Sequence, residues 1–304
     1  MFRDAFKYYK ARKPPPDLRD VIDVTKTDDQ LVRRIHVERK SGDDLNERLG
    51  LRDVKSWNIY KIVDVPDLIF IENPFTPKGQ QHWIIKCLKE YSKKPNILNI
   101  DAHGCLNDGQ TWWDTCFRSN TNNDLLSKLR WATLGYHHNW DTKHYTEDFK
   151  SEMPADLKDL TNHFASILEF DDFHAEAAIV NYYRMNSTLA GHTDHSEVFL
   201  EAPLFSISFG QTAIFLIGGL KQEDPAKALF LRTGDVVIMS GTSRLRYHGV
   251  PKILSDKLMP WDTMDEHLLN SEDWRIAESY IAEARINLNV RQVLKPGQKT
   301  LIKY

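Results

Sequence analysis

Cysteine is scarce. The three present, Cys87, Cys105 and Cys116, are an odd number without C-x-x-C spacing, which argues against a disulfide framework and against a thiolate zinc site. They read as free thiols of a reducing compartment. No window approaches the roughly eighteen uncharged apolar residues of a membrane span, and the amino terminus lacks the apolar core of a secretory signal. An intracellular protein without a membrane partner is therefore expected. Excess basic charge is also missing: the formal net charge is −3 and the pI is near 6.5. There is no global pull on a polyanion, and any contact with nucleic acid has to come from local patches. Internal repeats and low-complexity tracts are absent, which removes solenoids and propellers. What the chain does have is apolar material. With 41% hydrophobic and 11% aromatic residues over 304 positions, it can bury a sizeable core as one decorated domain, and a disordered chain is excluded.

Organisation follows from periodicity. Residues 1–13 place Phe2, Phe6 and Tyr9 at helical spacing with Arg3, Lys7, Lys10 and Arg12 on the other faces, and Pro14–Pro16 stop the run. This is a short basic amphipathic helix. It reads as a solvated surface helix, with a targeting peptide or a nucleic-acid arm as alternatives, and Asp4 counts against the former. From about Asp17 to Lys55 the chain is charged and weakly periodic, and an irregular connection is expected. Helices are predicted over Gln80–Lys93, with Trp83, Ile84, Cys87, Leu88 and Tyr91 as the apolar stripe, and over Asp124–Leu134, capped by Asn122 or Asn123. A third is predicted over Pro154–Phe170, with Leu157, Leu160, Phe164, Ile167 and Leu168 inward.

After Ala177 the texture changes to seven short β-rich runs separated by glycine turns, beginning AAIVNYY and ending ARINLNVRQVL, with a helix capped by Ser271 set before the last. The expected class is α+β, a jelly roll buttressed by amino-terminal helices. The boundaries are 1–60 for the basic helix and extension, 61–176 for a helical buttress and lid region, and 177–304 for the β core.

Chemistry enters at Gly191-His192-Thr193-Asp194. In extended chain, residues two apart project to one side, so an imidazole and a carboxylate face one point. His248, in another strand-like segment, can join them by antiparallel packing. Two imidazoles and a carboxylate leave adjacent metal positions open, as in non-haem Fe(II) oxygenases. Taken alone, an H-x-D pair among twelve histidines is weak evidence and reads more readily as a pair of ordinary polar residues. The stretch 285–291 changes that balance. Arg285, Asn287, Asn289 and Arg291 share one face of a strand, with Ile286, Leu288 and Val290 on the other. Two inward guanidinium groups require an anion, unless this is an edge strand carrying an exposed arginine ladder.

The chain resembles the AlkB-like dioxygenases, and more closely the AlkB homologue 1 group. The resemblance rests on the H-x-D pair with its distant His, on R-x-N-x-x-x-R and on Asn181-Tyr182-Tyr183. It extends through SISFGQTAIFLIGG, TGDVVIMSGTSRLRYHGVP, LRWATLGYHHNWD and FRDAFKYYK, and so spans almost the whole chain. It implies that His192, Asp194 and His248 bind Fe(II), and that Arg285 with Tyr183 holds the far carboxylate of 2-oxoglutarate. Asn181 and Arg291 would serve its metal-proximal end, and Asn287 would support the pocket. O2 is the other co-substrate.

The implied reaction converts 2-oxoglutarate to succinate and carbon dioxide while hydroxylating an N-methyl group on a nucleobase, which then loses formaldehyde. A methyl on carbon, as in 5-methylcytosine, would stop at an alcohol or aldehyde. The resemblance points to a monomer acting on transfer RNA carrying N1-methyladenine, or on unpaired or bulged DNA carrying N6-methyladenine, since a paired base must be flipped. It also points to mitochondria and nucleus. Tyr145, Trp140 and His138 are candidate base contacts, Glu197 a candidate acceptor for an exocyclic amine, and Lys7 and Lys10 candidate phosphate contacts. Tyr136 and Trp140 read equally well as core. Asn289 stands where close relatives carry threonine, and His195 where arginine is expected. The segment Phe117–Asp124 lacks their basic run. A protein demethylase or hydroxylase using the same metal site is the alternative reading, consistent with the acidic pI, and a catalytically silent binding module is a third.

Overall fold

A computed structural model describes residues 1–26, 30–38, 43–118, 123–262 and 271–301. Among the described residues, thirteen strands form two facing antiparallel sheets. The strands are β1 (Val32–Ile35), β2 (Asn58–Ile62), β3 (Val65–Glu72), β4 (Ile97–Leu98), β5 (Trp131–Gly135), β6 (Ala177–Arg184) and β7 (Leu189–His192). They continue as β8 (Leu204–Gly210), β9 (Thr212–Ile217), β10 (Lys227–Leu231), β11 (Val236–Met239), β12 (His248–Leu254) and β13 (Ala284–Arg291). The major sheet runs β1-β2-β3-β11-β8-β13-β6-β5-β4 and the minor sheet β10-β9-β12-β7. This is the α+β jelly roll expected from the seven runs after Ala177.

Alternation along the strands sorts side chains into two cores. Ile286, Leu288 and Val290 of β13, with Val180 and Tyr182 of β6, point away from the minor sheet. There they pack with Trp83 of α3 (Pro77–Ile85), Phe164 of α6 (Ala155–Ile167) and Trp274 of α7 (Glu272–Ile281). The opposite residues of the same strands face the minor sheet, whose Phe215, Leu231 and Val250 form a second cluster with Tyr183 and Met239 of the major sheet. β13 lies between β8 and β6, paired along its length to both. Its arginine face is therefore interior, and the edge-strand alternative falls.

The helices start where their caps stand. Thr76 accepts from the Gly79 amide at 3.0 Å with Pro77 in the first turn, and Ser271 accepts from the Trp274 amide at 3.1 Å. The expected stripe from Trp83 to Tyr91 is buried throughout, although α3 gives way to a π-helical turn at Lys86–Glu90. α1 (Phe2–Lys10) buries Phe2 and Tyr9 on the outer face of the minor sheet with Ile214 and Leu216. A Cβ at position 191 would lie 2.3 Å from a Phe2 ring carbon. Glycine there is what lets α1 seat itself directly behind His192.

Three expectations are corrected. The stretch 17–55, expected to be irregular, contributes β1, which pairs with β2, and α2 (Asp43–Leu49). The helix expected over Asp124–Leu134 is only α5 (Asn123–Lys128), because Trp131–Gly135 pairs with β6 as β5; Asn122, the other proposed cap, lies outside the described residues. The 61–176 stretch, expected as a helical buttress, also adds β3, β4 and β5 to the major sheet.

Candidate active site

The minor sheet brings the metal candidates together by register. β7 ends at His192 and β12 begins at His248, and these two residues are direct cross-strand partners. Asp194, two residues beyond β7, turns back over them. His192 Nε2 lies 3.9 Å from Asp194 Oδ1, and His248 Nε2 lies 3.4 Å from Asp194 Oδ2. Each ring's other nitrogen, Nδ1, sits 3.0 Å from a backbone carbonyl, Ala190 for His192 and Arg246 for His248. A carbonyl only accepts, so Nδ1 carries the proton and Nε2 presents a lone pair. Two imidazole lone pairs and a carboxylate thus converge within 4.8 Å of one another. Asp194 Oδ2 is buried without a hydrogen-bond donor. Acceptors do not face each other without a cation between them, and the donor set fits a divalent ion with open adjacent positions. Electrostatics agree. Burial, helped by His248, lowers the His192 imidazole to about 4, so it is neutral at physiological pH. Burial works to raise Asp194, but Arg291 and the two histidines prevail and hold it well below the ordinary carboxylate range.

The major sheet supplies the anion site. Arg285 is 1% exposed. Its Nη2 donates to Ser208 Oγ at 2.8 Å, Nη1 only weakly to the Leu231 carbonyl at 3.5 Å, and Nε to nothing. No carboxylate among the described residues forms an ion pair with it, and burial depresses it to about 10. An interior guanidinium held this way has spare donors for a carboxylate. Tyr183, its register partner on β6, is pushed up by burial to about 12 and stays a neutral donor. Asn287 donates to Ser206 Oγ at 2.8 Å, and its Oδ1 lies 3.5 Å from Asn181 Nδ2. Asn181, Tyr183, Arg285, Asn287, Arg291 and the metal triad all line one cavity of about 370 Å³, large enough for a five-carbon diacid and one inserted base.

The remaining candidates divide. His138 and Trp140 line the cavity mouth, with ring centroids 4.6 Å apart, edge to face. Trp140 is 48% exposed and also meets Trp131. It is therefore not core, whereas Tyr136 is buried. Tyr145 is buried behind His138 and does not line the cavity. Glu197 also lies outside the lining: its two oxygens accept from Arg244 and Arg291, each at 2.9 Å. That leaves its carboxylate enclosed, with no path to an exocyclic amine. Lys7 and Lys10 are exposed on α1 and do not line the cavity. Sequence reasoning passed over Arg244, Ser206, Ser208 and Lys143. The two serines alternate inward in β8 opposite Asn289 and Asn287, a pairing that no single strand reveals. Residues 119–122 of the segment without a basic run lie outside the described residues.

The 2OG-Fe(II) oxygenase superfamily matches residues 67–291. "Nucleic acid dioxygenase ALKBH1" of Homo sapiens is 40% identical over 330 residues, covering 98% of this chain and 85% of that protein. "DNA N(6)-methyladenine demethylase ALKBH1A" of Arabidopsis thaliana is 31% identical, covering 82% of this chain and 81% of its own length. "tRNA demethylase abh1" of Schizosaccharomyces pombe is 43% identical over 168 residues, 55% of this chain and 53% of that protein. The donor set and the family agree on Fe(II), 2-oxoglutarate and O2 as cofactor and co-substrates. The chain belongs to the 2OG-Fe(II) oxygenase superfamily and, within it, to the AlkB homologue 1 group.

Proposed function

We propose that this enzyme oxidatively demethylates methylated nucleobases in nucleic acid, N1-methyladenine in transfer RNA first and N6-methyladenine in unpaired or bulged DNA second. The observation that carries the reading is a single cavity joining the metal triad to an exposed aromatic at its mouth, Trp140, with Lys143 beside it. Similarity to relatives named for nucleic acid, DNA and tRNA supports the substrate class.

In this reading Arg285 and Tyr183 fix the far carboxylate of 2-oxoglutarate, while Asn181 and Arg291 bind its metal-proximal end. Asn287, tied to Ser206, keeps the pocket in shape. When bound, iron and 2-oxoglutarate supply an oxidant generated from O2 that hydroxylates the N-methyl group, with succinate, carbon dioxide and formaldehyde as products. Trp140 offers a flipped base a stacking face, worth about 1–3 kcal/mol. His138 braces Trp140, and Lys143, with no ion-pair partner among the described residues, suits a flanking phosphate. Burial keeps His138 neutral by lowering its pKa, so it can accept as well as donate near the base.

Incubation with Fe(II), 2-oxoglutarate, O2 and total tRNA, methylated single-stranded DNA or methylated peptide, followed by mass spectrometry, tests the reading. Loss of methyl from nucleosides is expected. Turnover on peptide alone would replace it with the protein-demethylase alternative. Lys7 and Lys10 on α1 extend the reading: replacing both with Gln should weaken tRNA binding and lower its salt slope by about 2. Unchanged binding would remove α1 from the interface.

A further inference from the structure

The segment that carries the metal carboxylate towards β8 is gripped at three points by one side chain. Arg244 follows the 3-10 turn Gly241–Ser243 and is 2% exposed. It donates through all three nitrogens: Nη1 to the Asp194 carbonyl at 2.7 Å, Nη2 to Glu197 Oε2 at 2.9 Å, and Nε to the Ala202 carbonyl at 3.1 Å. The other oxygen of Glu197 accepts from Arg291 Nη1 at 2.9 Å, and that same nitrogen lies 3.2 Å from Asp194 Oδ1. All four side chains are buried. Two guanidinium groups thus face two carboxylates, so their formal charges balance, and removing any one of them leaves a buried charge uncompensated.

Arg291 Nη1 stands between two competing carboxylates. How far Glu197 draws it depends on how much of the Glu197 charge Arg244 already balances. We propose that Arg244 is a positioning residue: by balancing the Glu197 charge, it keeps Arg291 shared with the metal carboxylate and available to the metal-proximal end of 2-oxoglutarate. The inference rests on the assignment of Arg291 to that end of the co-substrate. Without the Arg244 charge, Glu197 keeps the Tyr145 hydroxyl at 3.4 Å but has Arg291 as its one charged partner, and pulls Arg291 towards itself. Without the Glu197 charge, Arg291 is left to Asp194 and the co-substrate. Substitutions on the two sides of one salt bridge therefore act in opposite directions, whereas a bridge that merely holds a loop would weaken binding from either side.

Calorimetric titration of the Mn(II)-loaded protein with 2-oxoglutarate reads this without turnover. Arg244→Gln should weaken binding about tenfold or more. Glu197→Gln should bind at least as tightly as the wild type, and the double substitution should return to within about threefold of it. Thermal melts report folding separately. If Arg244→Gln does not fold, Glu197→Gln and Arg244→Lys decide. The lysine keeps the charge but not the three-way clamp, and should hold affinity within about threefold. Weakening by Glu197→Gln, or additive losses in the double variant, overturns the proposal. Arg291→Gln separates the two claims. If it leaves 2-oxoglutarate affinity unchanged, the assignment of Arg291 is wrong. If it weakens affinity while Arg244→Gln does not, only the positioning role fails.

Discussion

Removing Arg285 should make the ligand-free protein more stable while making it blind to its co-substrate. The guanidinium is enclosed, with one good hydrogen bond, to Ser208, and an unpartnered Nε. Depression of its pKa from 12.5 to about 10 by burial corresponds to an electrostatic penalty of about 3 kcal/mol in the folded state. The sign is clear. At pH 7 the group is protonated both folded and unfolded, so the penalty is fully present there and is relieved only as pH climbs past the folded value. Arg285→Met keeps the aliphatic stem and drops the charge. Against the gain stands the loss of the Ser208 bond, roughly 1 kcal/mol, which leaves a net stabilisation of about 1–2 kcal/mol. That is a rise in melting temperature of roughly 2–3 °C for a chain of this size. In Mn(II)-loaded protein, saturating 2-oxoglutarate should raise the wild-type melting temperature further and leave that of the variant unmoved. Differential scanning calorimetry with and without the diacid measures both. A variant that melts lower than the wild type in the absence of ligand would show that the Arg285 charge does not cost stability, and one that still responds to 2-oxoglutarate would show that Arg285 does not anchor it.

Two further outcomes follow from the packing. Asp235, in the turn between β10 and β11, is raised by burial to about 7. Its folded pKa lies above its unfolded value, so stability is highest below the unfolded pKa and declines as pH rises towards 7. Relative to Asp235→Asn, which does not titrate, the wild type should lose on the order of 2 kcal/mol between pH 5 and pH 7, measured by denaturant unfolding; parallel profiles would contradict this. Gly191→Ala places a Cβ 2.3 Å from the Phe2 ring and should destabilise by about 1–3 kcal/mol. Phe2→Ala in the same chain should recover part of that loss, and simple additivity of the two would show that the clash is not what matters.

The β core and its site were legible because their side chains alternate cleanly. Along 285–291, polar and apolar residues take turns, and the two faces meet opposite environments, cavity and helices. His192 and Asp194 advertise themselves by a spacing of two, and His248 by lying in a strand-like run. β3 and β5 were not legible for the converse reason. Leu68–Ile71 and Ala132–Gly135 are buried on both faces, so their residues do not alternate, and the leucines before β5 continue a helical stripe that pairing with β6 cuts short. Glu197 misled because nearness to the metal motif in sequence says nothing of orientation. Its partner Arg244 is 47 residues away, and only the fold brings the two together.

His192, Asp194 and His248 are placed to close around one divalent ion beside Arg285. Mn(II) titration followed by electron paramagnetic resonance, with and without 2-oxoglutarate, tests it most directly. Expected are one ion per wild-type chain, bound more tightly when the diacid is present, little binding in His192→Ala/Asp194→Ala, and unenhanced binding in Arg285→Met. Equal Mn(II) affinity in the wild type and the double variant would contradict it.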